Sequence, residues 1–197
     1  VTVGYALQWA AGGGAPWVFH ATSVALYAAA SALVLAFFRM LLPAPGALVG
    51  AALFAVHPVH VEAVSNAVGQ NELVTALAIL AAAVVYLRRR RVGSMGPIAT
   101  SCIAALFALA CLAKEHGVLL PVILLILEWL AVPTEDGNTA ALRRRLREVA
   151  PLYAVLAAVA IAYVVARTAV LGNLLGEQDV IPVHGVARLG MMLVVAP

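Results

Sequence analysis

The sequence predicts an all-α fold, a polytopic bundle of transmembrane helices that crosses the bilayer about seven times. Of the 197 residues, 64% are hydrophobic and 11% are charged, whereas soluble globular domains are about 45–50% apolar and about 25% charged. In water such a chain would expose a large apolar surface, and a bilayer removes that cost. Long uncharged stretches recur along the chain, and several approach the length of about 20 residues with which an α-helix crosses the hydrocarbon core.

Seven spans account for these stretches. Pro58 stops the second of them early, because proline lacks the backbone donor that a continuing helix needs. Pro97 trims the start of the fourth, and Asn71 and Glu72 are expected to cap and open the third. The first six cover residues 17–38, 46–57, 73–87, 92–113, 117–132 and 149–166, and the seventh begins at Leu189.

Both ends of the chain lie within apolar sequence. Val1 opens an uncharged stretch, and Pro197 falls inside the span that begins at Leu189. We therefore expect residues 1–197 to be a single membrane module that is cut from a longer polypeptide at both ends.

The basic residues concentrate on one side of the predicted bundle. Alternating spans place nine of the twelve there, and by the positive-inside rule this side is cytoplasmic. Such clusters favour the anionic cytoplasmic leaflet, so the net charge of +3 does not indicate a nucleic-acid partner. The nine are Arg39, the run 88–91, Arg143, Arg144, Arg145 and Arg147, while Lys114, Arg167 and Arg188 fall towards the outer face.

Polar residues gather at the outer face. Three outer segments, residues 57–62, 114–116 and 172–184, carry four of the five histidines, and His20 lies near the outer end of its own span. Polar groups that converge at the mouth of an apolar bundle predict a binding site.

The first outer segment is expected to break the helix at membrane depth, since Pro58 removes a backbone donor. Two interpretations stay open. In one, a re-entrant turn uses its histidines to satisfy the freed carbonyls; in the other, His60 and Glu62 contact a polar ligand. A metal site is disfavoured, because Pro58 between His57 and His60 disrupts the helical face that would pair them.

The second outer segment contains adjacent charges. Lys114 and Glu115 point about 100° apart on a helix and cannot pair with each other, and an unpaired charge within the membrane costs roughly 2.5–3.5 kcal/mol. Either they reach the interface, or Lys114 binds an anion such as a lipid-linked phosphate while Glu115 orients a sugar or a helix. Arg167 is an equally open candidate for a second phosphate contact. Glu128, beside Trp129 at the cytoplasmic end of its span, is interpreted as an interfacial acid.

Two stretches carry a family resemblance. ALFAVHPVHVEAVSNAVGQNELVTAL and LACLAKEHGVLLPVILLILEWL resemble the membrane half of the transmembrane and tetratricopeptide-repeat O-mannosyltransferases and their bacterial relatives. That family's patterns read roughly HPVH-x-EAV-x-x-VVGR-[AS]-[DE]-L and LAKE-x-G. Residues 1–28 look like its second membrane helix with the outer approach. One departure is Gln70, which stands where the family has arginine and removes a cation from the outer face.

The resemblance implies a GT-C-type glycosyltransferase. Such an enzyme passes a sugar, mannose in this family, from a polyprenyl- or dolichyl-phosphate carrier to Ser or Thr of a protein acceptor on the non-cytoplasmic side. The family's catalytic acid lies in a loop before its second helix, and its tetratricopeptide repeats follow the membrane part; both are expected outside this chain. We therefore assign no catalytic residue here, and the fragment alone is expected to be inactive.

Together, the polar residues and the resemblance predict where the donor binds. No cofactor or metal site is assigned, and the dependence on a divalent metal is left open. The membrane is the inner membrane if the protein is bacterial and the endoplasmic reticulum if it is eukaryotic. The residues expected to contact the substrate or its lipid phosphate are His57, His60, Glu62, Lys114, Glu115 and Arg167.

The chemistry of this class sets three requirements. A carboxylate accepts the hydroxyl proton, cations stabilise the leaving phosphate, and an apolar groove holds the prenyl tail; this chain can supply the last two. Two other functions remain as alternatives, a non-catalytic membrane anchor for a repeat protein and a transporter whose outer His and Glu line a proton path. A transporter is expected to show interrupted helices in both halves, and the sequence shows one interruption, at Pro58.

Overall fold

The computed structural model describes residues 2–93, 95–132 and 139–171, and every regular element in these ranges is helical. The predicted all-α class is therefore confirmed. Short 3₁₀ turns precede three of the α-helices: Pro58–His60 before α4, Ala67–Gly69 before α5 and Glu115–Leu119 before α7. The α-helices are α1 Thr2–Gly12, α2 Pro16–Leu41, α3 Ala44–Val56, α4 Val61–Ser65, α5 Gln70–Val92, α6 Pro97–Ala113, α7 Leu120–Ala131 and α8 Thr139–Leu171.

The chain forms two compact units, Val1–Tyr163 and Val164–Pro197. In the first unit α5 is the central helix and packs against α2, α6 and α7. Its inner face and the facing sides of α6, α7 and α8 build the core, which includes the fully buried Tyr86, Phe107 and Leu124. In the second unit the structure describes residues 164–171, the last turns of α8.

Among the described residues, three helices are long and apolar enough to cross a bilayer, Pro16–Leu41, Ala67–Val92 and Arg143–Val170. A fourth span results if α3 and Pro58–Ser65 form one broken helix, which bends by 46°. The predicted spans at 92–113 and 117–132 correspond to the shorter α6, of 17 residues, and α7, of 12 residues. The predicted total of about seven spans stays a prediction, and the span from Leu189 lies outside the described residues.

The ends of α5 and α6 follow from local sequence, with one exception. Glu72 lies in the first turn of α5 and arginines lie in its last, as the helix dipole favours, and α6 begins at Pro97 as predicted. The prediction that Asn71 caps α5 is wrong. The helix begins one residue earlier, at Gln70, and Asn66 instead caps the preceding 3₁₀ turn by accepting a hydrogen bond from the Val68 amide at 3.1 Å.

A tight turn joins α6 to α7 and fixes the second polar segment. Lys114 is extended, with φ −158° and ψ 149°, and Gly117 follows it in a buried position. A Cβ atom at Gly117 would collide with the backbone of Ala110 and Cys111. The absence of a side chain there allows the turn to fold back against α6 and keeps Lys114 beside the first turn of α5.

Candidate functional site

The helix break at Pro58 is confirmed, and its freed carbonyls are satisfied by a tyrosine. α3 ends at Val56, and His57 is extended, as the residue before a proline prefers. The hydroxyl of Tyr27 on α2 lies 2.9 Å from the Phe54 oxygen and 3.2 Å from the Ala55 oxygen. The re-entrant interpretation gave these carbonyls to the histidines, but the Nδ1 atom of His57 instead accepts a hydrogen bond from the Val59 amide at 3.2 Å.

Tyr27 was not predicted from the sequence. The signal was available, because a tyrosine in the middle of an apolar span needs a partner for its hydroxyl. The partner lies on another helix, at carbonyls that Pro58 leaves open, so its identity required the tertiary structure.

A cavity of about 350 Å³ opens beside the break, between α2 and the segment from α3 to α4. Most of its wall is apolar, and its polar groups are His20, Tyr27, His57, His60 and Ser65. The structure thus brings two of the predicted site residues, His57 and His60, together with the outer histidine of α2. An apolar wall with a few polar groups suits an amphiphilic ligand.

Aromatic packing holds His60 within this cavity. Its ring centroid lies 4.4 Å from that of Phe54, 5.4 Å from that of Tyr27 and 6.0 Å from that of His57. Offset and tilted rings at these separations attract one another. The imidazole is therefore positioned by its neighbours before any ligand binds.

Glu62 is placed differently from the two histidines. It is exposed in the short helix α4 and is not part of the cavity wall. Its backbone oxygen accepts the Asn66 amide at 3.2 Å, while its carboxylate has no hydrogen bond or ion pair to any other residue in the described ranges. The predicted contact between Glu62 and a ligand therefore stays a prediction.

Lys114 forms an ion pair with Glu72, which joins the end of α6 to the first turn of α5. About a third of the lysine side chain and two fifths of the glutamate side chain are exposed, 35% and 43%. Lys114 therefore has a partner other than Glu115, as helix geometry requires. Glu115 is exposed in the 3₁₀ turn that follows.

Arg167 lies near the end of α8, in the second compact unit. Its predicted phosphate contact stays a prediction. The outer acids Glu177 and Asp179, and His184, lie outside the described residues.

Gln70, the position that departs from the family pattern, is 2% exposed and fully hydrogen-bonded. It forms a reciprocal amide pair with Gln8 of α1, with distances of 2.9 and 3.1 Å. Its nitrogen also lies 3.0 Å from the Phe19 oxygen and 3.3 Å from the Ser23 hydroxyl oxygen. A neutral buried network thus joins α1, α2 and α5 at this position.

At the opposite end of the bundle, the prediction that Glu128 reaches the interface is wrong. Its side chain is 3% exposed and accepts two hydrogen bonds from Arg90, at 2.7 and 2.9 Å. Tyr86 donates to it at 2.7 Å and Arg145 at 2.9 Å. A buried carboxylate is stable only when it is paired and hydrogen-bonded, and these four bonds meet that condition.

Two arginines that the sequence assigns to the membrane surface belong to this cluster instead. Arg90 also binds Glu148 of α8 at 2.9 Å. Arg145 hydrogen-bonds the backbone oxygens of Glu128 and, at 2.6 Å, of Val132, so it caps the end of α7. The arginine-rich end of α5 and the arginine-rich start of α8 therefore lie on one side, as the predicted alternation of spans requires.

The described residues contain no group of three His, Cys, Asp or Glu that could hold a metal ion. The predicted site residues of the first unit thus fall in two places, at the amphiphilic cavity beside the helix break and at the partly exposed ion pair between the start of α5 and the end of α6.

Curated relatives of this chain share a function in their names. This chain is 37% identical over 115 residues to Protein O-mannosyl-transferase Tmtc1 of Drosophila melanogaster. The aligned region covers 58% of this chain and 13% of the relative. The chain is 34% identical over 109 residues to Protein O-mannosyl-transferase TMTC3 of Mus musculus, covering 52% of this chain and 11% of the relative. The predicted resemblance to the O-mannosyltransferase family is confirmed.

The similarity concerns a short part of these relatives, because the chain matches about an eighth of their length. No family model matches the chain. No solved structure matches it either.

Proposed function

Since this chain is related in sequence to the transmembrane O-mannosyl-transferases, we propose that it forms part of the membrane region of a protein O-glycosyltransferase. Its outer face would bind a sugar carried on a polyprenyl phosphate, and the donor to test is the polyprenyl phosphate that carries mannose. The acceptor is a Ser or Thr hydroxyl of a protein on the non-cytoplasmic side. The observation that carries the proposal is the partly exposed Lys114–Glu72 ion pair at the outer ends of two packed helices.

The reaction requires a cation at this position. The acceptor hydroxyl oxygen attacks the anomeric carbon, a base takes its proton, and the bond from that carbon to the phosphate oxygen breaks. The phosphate leaves with the electron pair and gains negative charge, which a fixed cation stabilises. Lys114 is suited to this role because its ammonium group is both held in place and accessible.

Glu72 gives the ion pair a second property. In the absence of a donor it neutralises Lys114, which lowers the cost of keeping a cation at the membrane surface. A lipid phosphate arriving at the same depth competes with the carboxylate for the ammonium group. Surface ion pairs are worth only about 0–1 kcal/mol, so this exchange requires little free energy.

The cavity beside Pro58 is suited to both the hydrocarbon part and the polar part of an amphiphilic donor. Its apolar wall accepts a hydrocarbon segment, and the imidazoles of His57 and His60 offer hydrogen bonds to the polar part. Glu62 is accessible from the same surface and orients the acceptor or the sugar rather than serving as the base. We assign the base to no residue of this chain.

A chimera tests the proposal. The segment of Drosophila Tmtc1 that aligns with this chain is replaced by this chain, and mannose transfer is measured with a polyprenyl-phosphate donor and an acceptor protein. We expect transfer above that of a chimera carrying an unrelated apolar segment of equal length. A chimera that inserts and accumulates normally but transfers nothing would favour the anchor function instead.

Variants in the active chimera then test the cation. Lys114→Ala is expected to reduce transfer at least 100-fold, since loss of one group that stabilises charge in the transition state costs about 10²–10³ in rate. Lys114→Arg retains the charge and should keep most of the activity. Arg88→Ala, at an exposed arginine on the opposite side, is the matched control; equal activity of Lys114→Ala and this control would remove Lys114 from the site.

A further inference from the structure

On helix α1, the polar side chains of Tyr5 and Gln8 lie on the inside, and large apolar side chains lie on the outside. Tyr5 and Gln8 face the protein: the Tyr5 hydroxyl donates to the Ala67 oxygen at 2.8 Å and lies 3.1 Å from Asn71 Oδ1, and Gln8 pairs with Gln70. Val3, Leu7 and Trp9 face away and are 73%, 66% and 63% exposed. This polarity is the reverse of that of a helix on the surface of a soluble protein.

The outer face of α1 is too apolar to be favourable in contact with water. Val3, Leu7 and Trp9 are spread around the exposed side of this short helix, with the exposed Ala6 and Ala10 between them, and apolar surfaces of this kind mark contact with a membrane or another protein. Residues 1–38 contain no Asp, Glu, Lys or Arg, so nothing in this region would hold the helix in water. The helix is also about 16 Å long, roughly half the thickness of the hydrocarbon core.

The exposed side chains of the neighbouring helix α2 indicate that the outer face of α1 contacts lipid. α1 is joined through Gly13 and Gly14, whose φ angles of 58° and 85° lie in the left-handed region, to the start of the membrane span α2. On that span Trp17 and Val24 are 69% and 57% exposed. Exposed apolar side chains thus lie on both helices on either side of this short turn, α2 is long and apolar enough to cross a bilayer, and tryptophans are typical of the membrane interface.

We propose that α1 is a membrane-embedded arm whose outer face, Val3, Leu7 and Trp9, contacts the phospholipid chains of the outer leaflet. Its inner face fastens the arm to the first turn of α5 through Tyr5 and Gln8. Because Glu72 lies in that same turn, the arm fixes the start of α5 at the depth of the outer leaflet. This inference rests on the fold and the polarity of α1, and it holds whether or not the protein transfers a sugar.

Fluorescence quenching tests the contact. The chain has three tryptophans, so Trp17→Phe combined with Trp129→Phe leaves Trp9 as the only one. In phosphatidylcholine vesicles containing bromine-labelled acyl chains we expect Trp9 emission to fall by at least half. The matched variant retains only Trp129, which is 53% exposed on the apolar helix α7, and should be quenched similarly. It shows that the protein is inserted and that the quencher is effective.

Three other outcomes would overturn the proposal, provided that Trp129 is quenched by the bromolipid. Trp9 emission that is unaffected by bromolipid but quenched by iodide in the buffer would place the arm in water. Emission unaffected by both would mean that protein covers the outer face, either a second copy or another segment. Quenching of Trp9 by bromines confined to the cytoplasmic leaflet of asymmetric vesicles would place the arm on the wrong side.

Discussion

Glu128 lies in a dense cluster of charged and polar groups. Two guanidinium groups and a tyrosine hydroxyl converge on one carboxylate that water barely reaches. Removing one member of such a cluster leaves charges that nothing else nearby can compensate, whereas an exposed acid can be neutralised at little cost. The cluster therefore stabilises the contact among α5, α7 and α8 only while it is complete.

Glu128→Gln is accordingly expected to destabilise the protein by about 3–5 kcal/mol, because it removes the negative charge between Arg90 and Arg145. The measurement is the free energy of unfolding of the purified chain in mixed micelles. Glu62→Gln is the matched control, since its carboxylate is exposed and bonds to no other described residue, and it should change stability by less than about 0.5 kcal/mol. Equal stability of the two variants would show that the cluster is not buried.

The pairing of these residues could not be deduced from the sequence. Glu128 beside Trp129 matches the local pattern of a membrane interface, and that pattern led to the wrong assignment. Its true partner, Arg90, is 38 residues away on another helix, and local patterns do not encode such separations. The partner of Lys114 raises the same difficulty: the sequence showed that one was needed, and only the packing of α6 on α5 identified Glu72.

At the scale of elements, helix ends that depend on proline and glycine were predictable. The break at Pro58 and the start of α6 at Pro97 follow from the missing backbone donor and fixed φ of proline. The capping of α5 was not predictable in the same way, because Asn66 and Asn71 are both plausible caps. The structure selects Asn66 for a 3₁₀ turn and directs Asn71 to Tyr5 of α1.

The contact between α1 and α5 includes the paired amides of Gln8 and Gln70. Introducing a charge at one of these two residues alone is therefore expected to destabilise the protein. Gln70→Arg buries a guanidinium with no acid beside it and should cost up to about 3 kcal/mol of stability. Gln8→Glu alone should also destabilise, since it places a carboxylate in a partly buried contact with no cation beside it. Together they form an ion pair, and the double variant is expected to recover about 0.5–3 kcal/mol relative to the sum of the single effects.

The four unfolding free energies of this cycle give the coupling directly. Additive effects would mean that Gln8 and Gln70 do not pair. A favourable coupling would show that the residues at positions 8 and 70 are matched in charge, so that the neutral pair of Gln8 and Gln70 leaves no polar group unsatisfied.

For the whole molecule, the decisive property is orientation. The tertiary structure places the arginine-rich ends of α5 and α8 together, and the positive-inside rule assigns them to the cytoplasm. The cavity at Pro58 and the Lys114–Glu72 pair then lie at the other end of the bundle, where a lipid-linked sugar on the non-cytoplasmic side would be within reach.

Cysteine labelling tests this orientation. In a chain with Cys102→Ala and Cys111→Ala, a cysteine introduced by Ser65→Cys at the exposed end of α4 should react with an impermeant maleimide added outside intact cells. A cysteine introduced by Arg89→Cys should react only after permeabilisation, because this exposed position lies in the arginine-rich last turn of α5, which the positive-inside rule assigns to the cytoplasm. The reversed pattern would put the cavity and Lys114 in contact with the cytosol. Neither the cavity nor Lys114 could then bind a donor on the outer face. The proposed transferase site would be wrong even though the fold remained the same.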